Sequence, residues 1–154
     1  MAAGNRRRYR SFVPRHPPSD YLRFIEAAAS LTLASMAIRW LPFERLVRTM
    51  GKGPPLAGTQ KATELEAVRR AVQRASARLP WRTVCFQEGL AAHWLLRRRG
   101  IDSRLHYGIR PEGDRLSAHV WVEADGAVVI GEEERGQPHV RVAIFPPEVP
   151  PTTL

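Results

Sequence analysis

Apolar residues recur every three to four positions from Tyr21 to Met50 and again from Leu65 to Leu96, then alternate with polar ones beyond Ser103. That change of period predicts an α+β chain, with helices first and a small antiparallel sheet after them. The first helix is expected over Tyr21–Trp40, capped by Ser19 or Asp20 and stopped at Leu41-Pro42. A short second helix follows over Phe43–Met50, with Phe43, Leu46, Val47 and Met50 at helical spacing, and then a Gly51-Lys-Gly-Pro-Pro linker. A third helix spans Thr63–Leu79, where Thr63 and Glu66 fit a capping box and Leu65, Val68, Val72 and Leu79 mark one face. After Leu79-Pro80-Trp81 a fourth begins near Cys85, with Thr83 as its N-cap, and ends in Arg97, Arg98, Arg99 and Gly100.

The alternating half gives strands at Ser103–Ile109, Leu116–Glu123 and Ala127–Ile130, with a last one around Val140, Val142 and Ile144. Pro111 to Asp114 reads as a turn, and Asp125-Gly126 as the two-residue loop of a hairpin. In outline, residues 1–18 are a flexible basic arm, 19–55 an N-terminal helical module, 56–145 the main domain and 146–154 a proline-rich tail.

Composition narrows the class. The 154 residues, 44% hydrophobic and 25% charged, suffice for one domain with a core of its own. A single cysteine excludes an internal disulfide framework, and a cytoplasmic setting is expected. The net charge of +9 would attract acidic partners, but its arginines are dispersed apart from Arg6–Arg8 with Arg10 and Arg97–Arg99. No zinc-finger spacing, RNA-binding signature or recognition helix accompanies them, so a solvated basic surface is expected rather than nucleic-acid binding. The apolar run Ala27–Ile38 is shorter than the roughly 20 residues a bilayer requires, so it reads as a buried helix without stable membrane insertion.

The chemistry centres on Cys85. A thiol in the first turn of a helix lies at the positive end of its dipole, which favours the nucleophilic thiolate. A small buried hydrophobe is the alternative role for a lone cysteine. A cysteine nucleophile needs a base and a group that orients the base. Of the five histidines, His93 lies about 12 Å along the helix from Cys85, His16 is in the arm, and His106 and His139 sit in strand segments without a supporting pattern. His119, in Ala-His-Val-Trp-Val-Glu, starts a strand that leads into the hairpin. With Asp125 and Gly126 as the turn, Trp121 opposes Ile130 and His119 opposes Glu132 at a Cβ spacing of about 5 Å. Glu132 is then the orienting carboxylate, unless a bulge slips the register and brings Glu133 forward. Trp81 and Trp121 are candidates for a substrate groove and equally for the core.

The run Leu79–Glu123 resembles the leader peptidase of lasso-peptide biosynthesis, a transglutaminase-like cysteine protease family. The resemblance rests on Leu79-Pro80, on Cys85 heading a helix with Leu90, Leu95, Leu96, Arg99, Gly100 and Ile101, and on Gly108. It continues in Ala118-His119-x-Trp121-Val122-Glu123 with Asp125-Gly126, and in Arg39-Trp-Leu-Pro-Phe-Glu-Arg upstream. It implies a papain-like core, a nucleophile helix on a small antiparallel sheet, and a Cys85–His119–carboxylate triad needing no metal or cofactor. The substrate it implies is a ribosomally made lasso precursor peptide, cut between leader and core to free the core's amino terminus for an ATP-dependent cyclase. A small leader-recognition protein would present the leader, this chain being the split form without that domain. The family's third residue is usually an aspartate after the histidine strand; here no aspartate follows Asp125. A transglutaminase-like acyltransferase or amidase, and a non-catalytic peptide-binding scaffold, are the alternatives.

Overall fold

The computed structural model describes residues 18–51, 61–131 and 139–147. Four helices precede four strands: α1 (Pro18–Trp40), α2 (Phe43–Thr49), α3 (Lys61–Ser76), α4 (Cys85–Arg98), β1 (Arg104–Glu112), β2 (Arg115–Ala124), β3 (Ala127–Ile130) and β4 (Val140–Phe145). The strands form one antiparallel sheet in the order β3-β2-β1-β4. This is the α+β architecture that the change of period predicts.

α4 is the centre of the molecule. It packs on α1 and α3 on one side and on β2 on the other. Leu90, Ala91, Ala92, Leu95 and Leu96 are fully or almost fully buried. Gly89 lets the helix approach the sheet, because a Cβ there would lie 2.8 Å from Val120 Cγ1 and 3.5 Å from Leu105 Cδ1. Leu105, Val120 and Val122 therefore form the floor under α4.

α1 is long and apolar enough to cross a membrane by length and composition. One stripe of it, Ala27, Ser30, Leu31 and Ala34, is buried where α1 lies against α3 and α4. Its outer face, with Leu22, Ile25, Leu33, Met36 and Trp40, is apolar and exposed. α1 and α2, with Met50, share one buried cluster with α3, α4 and the sheet. Side chains of α4 also hold the end of α2. Trp94 Nε1 donates to Thr49 Oγ1 (3.1 Å), Arg97 Nη1 to Thr49 O (2.9 Å) and His93 Nε2 to Met50 O (3.1 Å). At the same end of α4, its C-cap Arg99 binds Glu26 of α1 and Glu64 of α3.

Several local expectations are corrected. Pro18 opens α1, which places Ser19 and Asp20 inside its first turn, where Asp20 suits the helix dipole. α3 starts at Lys61, so Thr63 is a helix-interior residue and not a cap, and the helix gives way to a turn before Leu79. Pro111 and Glu112 belong to β1, paired with Leu116 and Arg115, and only Gly113 and Asp114 turn. Pro111 fits there because β4 pairs with β1 no further than Ile109, so its missing N–H removes no bond to β4. The Asp125-Gly126 hairpin forms as expected, with φ of 52° and 77°, the left-handed conformation of a type I′ turn.

Candidate active site

Cys85 is the first residue of α4. The N-cap is Val84, extended at φ −114° and ψ 158°, and not Thr83. Val84 N–H donates to Gln87 Oε1 (3.1 Å), half of a capping box. The Thr83 hydroxyl is drawn elsewhere: it meets Ser76 Oγ (2.6 Å) and Glu88 Oε1 (2.6 Å), and so ties the end of α3 to the first turn of α4. Gln87 and Glu88 N–H both reach Val84 O, at 2.9 and 3.1 Å. Among the described residues the N–H groups of Cys85 and Phe86 have no acceptor, as the first donors of a helix do not within the helix itself. The half-buried thiol thus stands beside two donors at a positive helix end.

His119 lies on β2, paired with Gly108 of β1. Opposed residues share a face, so His119, Trp121 and Gly108 form one side, and Val120, against Gly89, forms the other. The imidazole stands where β2 has run beyond its pairing with β3, which covers only Val122 to Ala124. Its Nε2 lies 2.9 Å from the carbonyl oxygen of Gly131. Cys85 and His119 are thus on packed elements, α4 and β2. Among the described residues no hydrogen bond joins them.

The hairpin register differs from expectation. Glu123 opposes Val128, but Val122 then opposes Ile130, so Val129 is an extra residue on β3. This bulge removes the pairing of Trp121 with Ile130 on which the expectation of Glu132 opposite His119 depends. Glu132 and Glu133 lie outside the described residues.

Around His119 the structure assembles rings that their spacing along the sequence does not connect. His139 approaches it at 5.1 Å between ring centroids, and Trp121 at 6.3 Å with planes 17° apart. Trp121 stacks in turn on His106, at 5.1 Å and 8°. Glu123 closes the group, accepting from Trp121 Nε1 (3.0 Å) and lying 3.3 Å from His106 Nε2. Trp121 is therefore a stacking platform for His119. Trp81, in the segment before α4, is 40% exposed. His93 is a structural tie: its Nε2–H donates to Met50 O and its Nδ1 accepts from Ser103 Oγ (2.8 Å). Both nitrogens of the neutral ring are used, and burial, with Arg97 adding to it, pushes its pKa below the ordinary value. His106 falls opposite Trp121 once the Gly113-Asp114 turn sets the register.

Among the described residues no group of three or more His, Cys, Asp or Glu is placed to hold a metal ion. A family model described as "Transglutaminase-like superfamily" matches residues 28–143. No curated protein and no solved structure matches the chain.

Proposed function

The chain belongs to the transglutaminase-like superfamily, and on that footing we propose that it is a cysteine peptidase which removes the leader from a lasso-peptide precursor. The observation that carries the reading is Cys85 at the head of α4, with that helix seated through Gly89 on Val120, the neighbour of His119. Cys85 and its unbonded backbone donors thus head the helix that packs on β2, the strand that carries His119 on its other face.

The chemistry follows from these groups. His119 takes the proton of Cys85 as the peptide binds, since catalytic bonds that are absent at rest often form in the substrate complex. The thiolate attacks the scissile carbonyl, and the N–H groups of Cys85 and Phe86 are positioned to donate to the oxyanion. The imidazolium protonates the leaving amine, and water resolves the thioester with His119 again as base. The leader would be presented by a small recognition protein. The exposed apolar face of α1 is a surface of the kind a protein partner covers. An ATP-dependent cyclase would consume the freed core.

The acyltransferase and amidase alternatives use the same acylation and differ in what resolves the thioester. Mass spectrometry of a lasso precursor incubated with the protein and a leader-recognition protein separates them. One cut at the leader–core junction, lost in Cys85→Ala, is the expected result. Transfer of the acyl group to an added amine without hydrolysis would replace the peptidase reading with the acyltransferase one.

A further inference from the structure

We propose that the backbone carbonyl of Gly131 is the group that orients the His119 imidazole, in the place where a triad would carry an acidic side chain. The inference rests on the assignment of His119 as base. A carbonyl oxygen only accepts, so at 2.9 Å the His119 Nε2 must carry the hydrogen and donate it. The neutral ring then has its lone pair on Nδ1, and Nδ1 is the nitrogen that takes the thiol proton. The proton balance is simple: Cys85 S–H becomes thiolate, Nδ1 gains the proton, and Nε2–H stays on Gly131 O. Charge on the ring strengthens that second bond, which is what an orienting group supplies in the transition state.

Two features show that the position of the carbonyl is built in. Val129 bulges from β3, and the chain then turns at Gly131 with φ of 81°. A Cβ at 131 would lie 2.4 Å from Val120 O and 2.9 Å from Trp121 Cα, both backbone atoms that cannot move aside. Only glycine lets the chain lie this close to β2, and this closeness is what brings its carbonyl to the residue before Val120. The titratable groups around the ring are His139, from the segment before β4, and, beyond Trp121, His106 of β1 and Glu123 of β2.

The test is the pH–rate profile of Cys85 alkylation by iodoacetamide in the full chain, with circular dichroism to confirm folding. Gly131→Ala is expected to slow alkylation at neutral pH about tenfold, the loss of one hydrogen bond to a charged group, and to give the profile of His119→Ala. A merely structural defect would lower the folded fraction and leave the shape of the profile unchanged; that result overturns the proposal. Glu132→Gln and Glu133→Gln are expected to keep the wild-type profile, and either of them matching His119→Ala would return the role to a carboxylate. Should Gly131→Ala not fold, long-range proton–nitrogen correlation on the wild type decides: Nδ1 bearing the hydrogen in neutral His119 refutes the assignment. If His119→Ala itself alkylates at the wild-type rate, the base reading fails, an outcome distinct from the failure of Gly131 alone.

Discussion

Gly89→Ala tests how the nucleophile helix is seated. The added methyl would lie 2.8 Å from Val120 Cγ1, while its contacts to Leu105 Cδ1 and Val122 Cγ2, at 3.5 and 3.6 Å, are ordinary. Val120 is branched at Cβ and 1% exposed, so it has little room to turn away. Overpacking of this kind costs about 1–3 kcal/mol. Against it stands the helix propensity of alanine over glycine, about 1 kcal/mol. The net expectation is a loss of roughly 0–2 kcal/mol, or a fall of a few degrees in melting temperature for a chain of this size. The sign should reverse when the clash is removed. In a Val120→Ala background, itself destabilised by about 2 kcal/mol through lost burial, Gly89→Ala should stabilise by about 1 kcal/mol. Urea unfolding of the four proteins in the cycle measures both terms. An equal effect of Gly89→Ala in the two backgrounds would show that the Val120 contact is not what fixes α4 on the sheet.

Further outcomes follow from other contacts. His93 is held neutral by burial, so on acidification the unfolded chain binds a proton at about its ordinary value of 6.5 while the folded chain resists. Its stabilising contribution is therefore complete above that value and is lost as pH falls toward the depressed folded value; the melting temperature should start to drop as pH falls through about 6.5, less steeply in His93→Gln. Arg99→Ala removes the cation that Glu26 and Glu64 share and leaves them to Arg98 and Arg23, and should cost about 1 kcal/mol in urea unfolding. Asp125→Asn preserves a residue that tolerates the left-handed turn and should leave peptide cleavage unchanged; a large loss would give Asp125 a role in the chemistry.

Much of the architecture was legible from period alone. The helices of the first half, the strands of the second and the Asp125-Gly126 hairpin were each specified by local pattern and turn chemistry. Cys85 at a helix start was legible too, because Pro80, the apolar spacing and the Arg97–Gly100 terminus bracket one helix. What local pattern could not supply was competition between partners. Thr83 reads as a cap, yet Glu88 and Ser76 compete for its hydroxyl and win. Thr63 and Glu66 fit a capping box, but helical pairing extends two residues further toward the N-terminus. The bulge at Val129 left no turn residue as a sign, and one slipped position is enough to undo a register argument. His106 and His139 carry no local motif, yet the sheet gathers them around Trp121 and His119. The family match, covering residues 28–143, agrees with the resemblance at the level of the superfamily.

The central claim is that Cys85 is a nucleophile served by His119. The most direct measurement needs no natural substrate: intact-mass analysis of the folded protein after brief exposure to p-nitrophenyl acetate at neutral pH, with nitrophenolate release followed in parallel. The account predicts a burst of nitrophenolate and an acetyl thioester on Cys85, absent in Cys85→Ala and formed at least tenfold more slowly in His119→Ala, the scale of general-base assistance being about 10²–10⁴-fold. An adduct that forms elsewhere, or on Cys85 at the same rate without His119, would contradict it.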